Sequence, residues 1–106
     1  MIKVVLTADR NGIRSVKISG HSQSADKGED LICAAVSAIA FGTCNALYEL
    51  GSEAKCKVGD NRIDITECGD DELTQTILKT AVIQLKTVEE GNTQFLNIKE
   101  NGGVKP

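Results

Sequence analysis

The chain contains a single histidine, His21, which lies twelve residues before a cysteine, Cys33. A thiol and an imidazole that meet in a fold form the minimal pair for catalysis by a thiolate nucleophile. Asp30 directly precedes a long apolar helical pattern and is therefore predicted to be its N-cap. Cys33 would then lie in the first helical turn, where unpaired N–H groups and the helix dipole lower a thiol pKa. The spacing therefore predicts a nucleophile at Cys33, with His21 as its partner.

Each of these residues also has an ordinary structural interpretation. Cysteine is among the residue types most often buried, so Cys33 could be a core residue and His21 a surface residue. Asp30 is interpreted first as a cap and only second as a residue that orients His21, since its carboxylate would raise the pKa of a nearby thiol. Ser37 shares a helix face with Cys33, and either bonds back to the Cys33 carbonyl or helps to line a site. Gly28 would give backbone freedom to the loop before the helix.

This block of sequence resembles the signature of a known family. It reads Gly20-His21, then Gly28-x-Asp30-x-x-Cys33-Ala34-Ala35-Val36-Ser37. It is similar to the ribosomal-processing cysteine proteases, the Prp or YsxB-like family. Two small departures are Ser22, where the family usually has Ala, and Ile32, where it often has Val.

The resemblance implies a cysteine endopeptidase with Cys33 and His21 as the catalytic residues. Gly20, Gly28, Asp30 and Ser37 are the predicted supporting residues. The implied substrate is a large-subunit ribosomal protein, from which a short N-terminal extension is removed by cleavage after a hydrophobic, aromatic-containing motif. The resemblance also implies a homodimer.

The first half of the chain predicts a hairpin followed by a helix. Residues 2–9 and 13–19 read as strands, and Asn11-Gly12 between them is a strong hairpin signal. Residues 22–29 are small or polar and predict a loop. Residues 31–50 carry apolar side chains at three- and four-residue steps, which predicts a helix that ends at Gly51.

The second half repeats this order and adds one strand. Residues 54–58 and 62–67 predict another hairpin, and Asp70 or Asp71 is predicted to cap a helix that reaches to about residue 90. Residues 93–99 predict a last strand, and 101–106 a frayed tail. The order ββαββαβ predicts a single α+β domain over residues 1–106, with two helices on one face of a mainly antiparallel sheet.

Composition excludes several classes of protein. The net charge is −3, with scattered basic residues, which argues against direct nucleic-acid binding. No stretch is expected to approach a membrane span of about 20 apolar residues, and the N-terminus lacks the features of a signal peptide, so a cytoplasmic location is predicted. The cysteines at 33, 44, 56 and 68 lack the spacing of a zinc site, so neither a metal nor a cofactor is predicted.

Two other classes of function remain open at this point. One is a non-catalytic ribosome-assembly or adaptor module in which Cys33 is buried. The other is a thiol redox sensor in which Cys33 is oxidised rather than acylated. A redox sensor favours a resolving cysteine nearby, and Cys44 lies three helical turns from Cys33, about 16 Å along a helix. The redox interpretation is therefore the weaker of the two.

Overall fold

The fold follows the predicted order of strands and helices. A computed structural model of the chain describes residues 1–20 and 27–102, without the side chains of residues 27–29. Its elements are β1 (Ile2–Asp9), β2 (Gly12–Ser19), α1 (Lys27–Glu49), β3 (Lys55–Gly59), β4 (Arg62–Thr66), α2 (Glu72–Glu89) and β5 (Leu96–Gly102). The predicted α+β class and the order ββαββαβ are confirmed.

The strands form one sheet in the order β3-β4-β2-β1-β5. The hairpin partners β1 and β2, and β3 and β4, pair antiparallel, and β2 also pairs antiparallel with β4. β5 lies on the other side of β1 and is parallel to it, because α2 carries the chain across the sheet before β5 begins. The sheet is therefore mainly antiparallel, as predicted, with one parallel pair at an edge.

One face of the sheet is apolar and the two helices cover it. Val4 lies opposite Ile18 across the β1–β2 pair, and Ile18 lies opposite Ile63 across the β2–β4 pair. Residues directly opposite each other in a ladder point to the same face, so the buried side chains form continuous rows. The buried aliphatic residues of the sheet are Ile2, Val4, Leu6, Ile13, Val16, Ile18, Ile63, Ile65 and Leu96. This core contains no aromatic residue, as the composition predicts.

The first hairpin contains an irregularity that the alternation of its sequence does not show. The register of the β1–β2 pair shifts between Thr7 and Ala8, so that Ala8 pairs with Ile13. Simple alternation would place Ile13 and Val16 on opposite faces of β2, yet both are buried. The extra residue of the bulge restores Ile13 to the helix-covered face.

A buried glutamine of α2 holds this end of β2. The Gln75 side chain accepts a hydrogen bond from the Ile13 N–H at 2.8 Å and donates to the Ile13 carbonyl at 2.9 Å. It also donates to the Gly69 carbonyl at 2.8 Å. A Cβ on Gly12 would lie 2.3 Å from the Gln75 Oε1, so glycine is required beside this side chain. One amide therefore joins the bulge of β2 to the segment that leads into α2.

The helix ends are set by local signals. Asp71 is the N-cap of α2, and its side chain accepts a hydrogen bond from the Thr74 N–H at 3.0 Å. That bond lowers the pKa of the Asp71 carboxyl, so the cap contributes stability that is lost as pH falls through this lowered value. α1 ends before Gly51, whose φ of +91° allows the Ser52 N–H to bond the Leu47 carbonyl.

Several predicted boundaries differ from the structure. Residues 93–95, predicted to begin the last strand, form a turn, and β5 begins at Leu96. α1 begins at Lys27, so the last three residues of the predicted loop 22–29 are helical, and residues 21–26 lie outside the described residues. β5 continues to Gly102, which places Asn101 and Gly102 in the sheet rather than in a tail. The pairing of Ala8 with Gly102 supplies the backbone partner for this extension. Residues 103–106 lie outside the described residues.

α1 is apolar on its outer surface as well as on its inner one. From Asp30 to Glu49 its length and composition would suffice to cross a membrane, so the expectation that no segment approaches such a span is wrong. The interruptions Ser37, Gly42, Thr43 and Asn45 are too small or too few to offset the surrounding Ala, Ile, Leu and Val. A core helix of a soluble protein passes the same test, but only 22% of this stretch is buried. Several of its apolar side chains, among them Leu31, Phe41 and Tyr48, are therefore exposed.

We expect Gln75→Leu to lower the free energy of unfolding by about 3 kcal/mol, because three buried backbone groups would lose their partner. Urea denaturation monitored by circular dichroism measures the change. Gln84→Leu, at an exposed position of the same helix, is the matched control and should change stability by less than about 0.5 kcal/mol. Equal effects of the two substitutions would show that the Gln75 hydrogen bonds contribute nothing specific.

Candidate active site

The end of β2 is held against the start of β1 by Gly20. Its φ is +96°, and a Cβ built there would lie 2.3 Å from the Met1 carbonyl oxygen. The Gly20 N–H donates to the Asn61 carbonyl at 3.3 Å, which ties this point to the β3–β4 turn as well. Only glycine combines this backbone conformation with so close an approach. His21 comes next in the chain and lies outside the described residues.

The predicted helix start is wrong. Asp30 lies inside α1, with an exposed side chain, and is not its N-cap. Gly28 lies in the first helical turn rather than in a loop. Cys33 is therefore the seventh residue of α1. It lies beyond the first turn, and the effect of the helix dipole is strongest within that turn. In a regular helix its N–H donates to the carbonyl four residues earlier, so it is not available to a ligand.

Cys33 lines a small cavity between α1 and the sheet. The cavity holds about 10 Å³, barely enough for one water molecule. Its lining residues come from four elements and are Ile2, Ile18, Ser19, Cys33, Val36, Ser37, Ala40 and Ile63. Cys33 is half-buried, with its side chain packed against the core. The structure thus brings Cys33 to the last residue of β2, directly before Gly20.

Ser37 lines the same cavity as Cys33, one helical turn further along α1. Of the two interpretations offered by the sequence, its position supports a lining role. Ser19 is a lining residue that sequence reasoning missed, although its place immediately before Gly20-His21 could have pointed to it. Among the described lining residues, these two hydroxyl groups and the Cys33 thiol are the polar side-chain groups, and the others are aliphatic.

The other three cysteines lie away from this cavity. Burial raises the pKa of the Cys68 thiol to about 11, and this residue is 1% exposed. Burial, together with a hydrogen bond to Cys56, raises the pKa of the Cys44 thiol to about 12. Both thiols therefore remain protonated near neutral pH. Cys56 is exposed on β3, and none of the four cysteines is in a disulfide.

The geometry suits a thiol nucleophile better than a metal centre. Cys33 is partly exposed and lies beside the end of β2. A substrate can reach a thiol in such a position. Within residues 1–20 and 27–102, no group of three or more His, Cys, Asp or Glu side chains is placed to hold a metal ion. Of the predicted site residues, the structure brings together Cys33, Ser37 and the Gly20 end of β2, and it leaves Asp30 pointing to solvent.

Comparison with known proteins identifies the family. The family model for the cysteine protease Prp matches residues 1–97. The ribosomal processing cysteine protease Prp of Staphylococcus aureus is 35% identical over 96 residues, which cover 85% of this chain and 90% of that protein. The match extends across both hairpins and both helices rather than being confined to the Cys–His block.

Solved structures agree with the sequence match. The crystal structure of the essential ribosomal processing protease Prp from S. aureus with a substrate peptide matches with a TM-score of 0.86 at 25% identity, covering 95% of this chain and all of that one. The same protease with a covalently linked product peptide matches with a TM-score of 0.81 at 25% identity and the same coverage. This chain therefore belongs to the Prp family and is a cysteine protease.

Proposed function

We propose that this protease removes a short N-terminal extension from the precursor of a large-subunit ribosomal protein, with Cys33 as nucleophile and His21 as proton acceptor and donor. The observation that carries the proposal is the shared cavity of Cys33 and Ser19 at the end of β2. It brings the thiol to the strand that leads directly to the only histidine of the chain.

The covalent geometry of the backbone limits how far His21 can be from this cavity. Two residues span at most about 7 Å, so the His21 Cα cannot lie further than that from the Ser19 Cα. The Gly20 conformation, packed against Met1, sets the direction in which the chain leaves β2. An imidazole is long enough to cover the remaining distance to a neighbouring thiol. Chain connectivity therefore supports a Cys33–His21 pair, and no other helix or strand is needed to bring the two residues together.

In the proposed reaction His21 takes the proton of the Cys33 thiol, and the sulfur attacks the scissile carbonyl carbon. The carbon–nitrogen bond then breaks as His21 returns the proton to the leaving amine. Water hydrolyses the resulting thioester and regenerates the thiol. The S. aureus relative with a covalently linked product peptide supports this covalent route.

The position of Cys33 in α1 limits which groups can stabilise the oxyanion. The Cys33 N–H donates within the helix, whereas the N–H groups of residues 27–29, in the first turn, have no acceptor within the helix. These groups point towards the N-terminal end of α1. We therefore assign the oxyanion donors to this first turn and not to Cys33.

The substrate assignment rests on the relatives and on charge. The S. aureus relative is a ribosomal processing protease, and its structure contains a substrate peptide. This chain has a net charge of −3, and ribosomal proteins are basic, so their attraction is favourable though weak. Processing of ribosomal precursors would take place in the cytoplasm.

The alternatives fit the site less well. An adaptor with a buried Cys33 would not need the thiol beside a cavity, and Cys33 is only half-buried. A redox sensor at Cys33 would need a second cysteine at that cavity, and the described lining residues include only one.

The outer surface of α1 supports the further proposal that the protease is a homodimer. Its exposed residues recur at three- and four-residue steps, which is the spacing of a helix-packing seam. The seam consists of Leu31, Ala34, Ala38, Phe41, Asn45 and Tyr48. Leu31 is 70% exposed and Tyr48 83%, and monomers rarely leave such a row uncovered. Packing against the same seam of a second copy would bury it.

Cys33→Ala should reduce the rate of precursor cleavage by a factor on the order of 10⁴ or more, because it removes the nucleophile. His21→Ala should reduce it by about 10²–10⁴, the contribution of a general base. The assay incubates the enzyme with a ribosomal protein that carries its N-terminal extension and identifies products by mass spectrometry. Cys56→Ser, at an exposed site, is the matched control and should keep wild-type activity. Full activity of Cys33→Ala would refute the assignment.

Gly20→Ala should lose both stability and activity, whereas Gly51→Ala should lose stability alone. Both glycines have positive φ, and alanine costs at least about 1 kcal/mol there. A Cβ at Gly51 meets nothing within 4 Å, while one at Gly20 would collide with the Met1 carbonyl and displace the chain before His21. Cleavage is compared at a temperature where circular dichroism shows both variants to be folded. Equal activity of the two would argue that Gly20 does not position His21.

Phe41→Glu should convert the dimer to a monomer, because it places a charge in the middle of the seam. Sedimentation equilibrium measures the mass. Ile83→Glu, at a position on α2 that is 65% exposed and outside the seam, should leave the dimer intact. A wild type that sediments as a monomer at all concentrations would refute the homodimer.

A further inference from the structure

Cys44 and Cys56 form a second thiol site, separate from the Cys33 cavity. Cys44 lies on α1 and Cys56 on β3, and the Cys56 side chain is near enough to contribute to the raised pKa of the Cys44 thiol. Both residues line an open depression of about 700 Å³ between the C-terminal part of α1 and this edge of the sheet. Cys33 lies eleven residues before Cys44, about 16 Å away along the helix.

The register of the sheet explains why the exposed Cys56 faces the half-buried Cys44. Cys56 lies directly opposite Ile65 in the β3–β4 pair, and opposite residues point to the same face. Ile65 is 1% exposed on the helix-covered face, so Cys56 points towards α1 as well. β3 is an edge strand of the sheet, however, and the depression between it and α1 is open to solvent. Cys56 therefore faces the helix while remaining exposed to solvent.

The two thiols have different access to an oxidant. Cys56 is exposed, so a small peroxide reaches its sulfur from solvent. Cys44 is half-buried, and burial with the Cys56 hydrogen bond raises the pKa of its thiol to about 12. Burial is the larger of the two causes, so the Cys44 thiol is protonated in the reduced protein. This is the arrangement of an exposed first reactant with a sheltered second thiol beside it.

We propose that Cys44 and Cys56 form a reversible intrachain disulfide when the protein meets a hydroperoxide. In the first step the Cys56 sulfur attacks hydrogen peroxide, the O–O bond breaks, and a sulfenic acid and water are formed. In the second step the Cys44 sulfur attacks the Cys56 sulfur, the S–O bond breaks, and hydroxide leaves with the Cys44 proton as a second water. Two thiols are oxidised to one disulfide and one peroxide is reduced to two waters.

The disulfide would tie α1 to the edge strand β3 without involving the catalytic thiol. Cys68 is the competing partner for Cys56. It is 1% exposed and is not among the described residues that line the depression shared by Cys44 and Cys56. The shared depression, which is open to solvent, favours Cys44.

The test treats the reduced wild-type protein with hydrogen peroxide, removes the excess with catalase, and blocks remaining thiols with N-ethylmaleimide. Non-reducing digestion then uses trypsin and chymotrypsin together. Cleavage after Lys55 and Lys57 releases Cys56, and cleavage after Phe41 separates Cys33 from Cys44. The expected predominant linked pair is Cys44–Cys56, and dithiothreitol should abolish it.

Single variants give the controls. Cys44→Ser and Cys56→Ser should each lose the linked pair, while Cys33→Ser and Cys68→Ala should retain it. Cys56→Ser is at an exposed position and should remain folded, as circular dichroism will verify. A wild type in which Cys56 becomes a sulfinic acid while Cys44 remains alkylatable would overturn the proposal. Predominant linkage of Cys56 to Cys33, to Cys68 or to a second chain would do so equally.

Discussion

The packing of α1 on the sheet is the constraint on which the site depends. Val36, Ala40 and Leu47 are almost completely buried against the sheet, and together they determine the rotation of the helix about its axis. Cys33 lies one turn before Val36 and on the same side, so this rotation directs its thiol to the end of β2. Ala40 is small enough for the helix to approach the strands closely. A thiol on the outer face of α1 would point away from the end of β2.

This arrangement also changes the source of nucleophile activation. A cysteine in the first turn of a helix would draw on the dipole and on unpaired N–H groups. Cys33 lies beyond that turn, so in the proposed mechanism its activation rests mainly on the His21 imidazole. The first turn of α1 would then stabilise charge on the substrate. Under this proposal one helix supplies the nucleophile and the oxyanion donors, and the residue that follows β2 supplies the base.

α1 has apolar side chains both on the face that packs on the sheet and on the outer face. An ordinary surface helix has one apolar stripe and one polar face, but α1 has a buried stripe and a second, exposed one. That is why its length and composition are those of a membrane span, although the helix packs on a sheet. Phe41 and Tyr48 are two of only three aromatic residues in the chain, and both lie on the outer stripe, away from the core.

The sequence by itself determined the features that depend on local physics. The two hairpins, both helices, the stop at Gly51 and a cap at Asp70 or Asp71 follow from side-chain periodicity and from residues that favour turns and caps. These signals act over a few positions, and the structure selects Asp71 as the cap. The Cys33–His21 candidate pair also came from residue type and spacing, with the family resemblance in support.

Only the tertiary structure decided the features that depend on distant contacts. Ile13 faces the core because of a bulge held by Gln75, which is 62 residues away in the chain. β5 extends three residues beyond its predicted end because β1 offers a parallel partner there. The start of α1 at Lys27 rather than at Asp30, the cavity shared by Cys33 and Ser19, and the meeting of Cys44 with Cys56 all depend on how helices and strands pack. Tertiary packing decides between local conformations of nearly equal free energy, so the local sequence pattern does not predict which conformation is adopted.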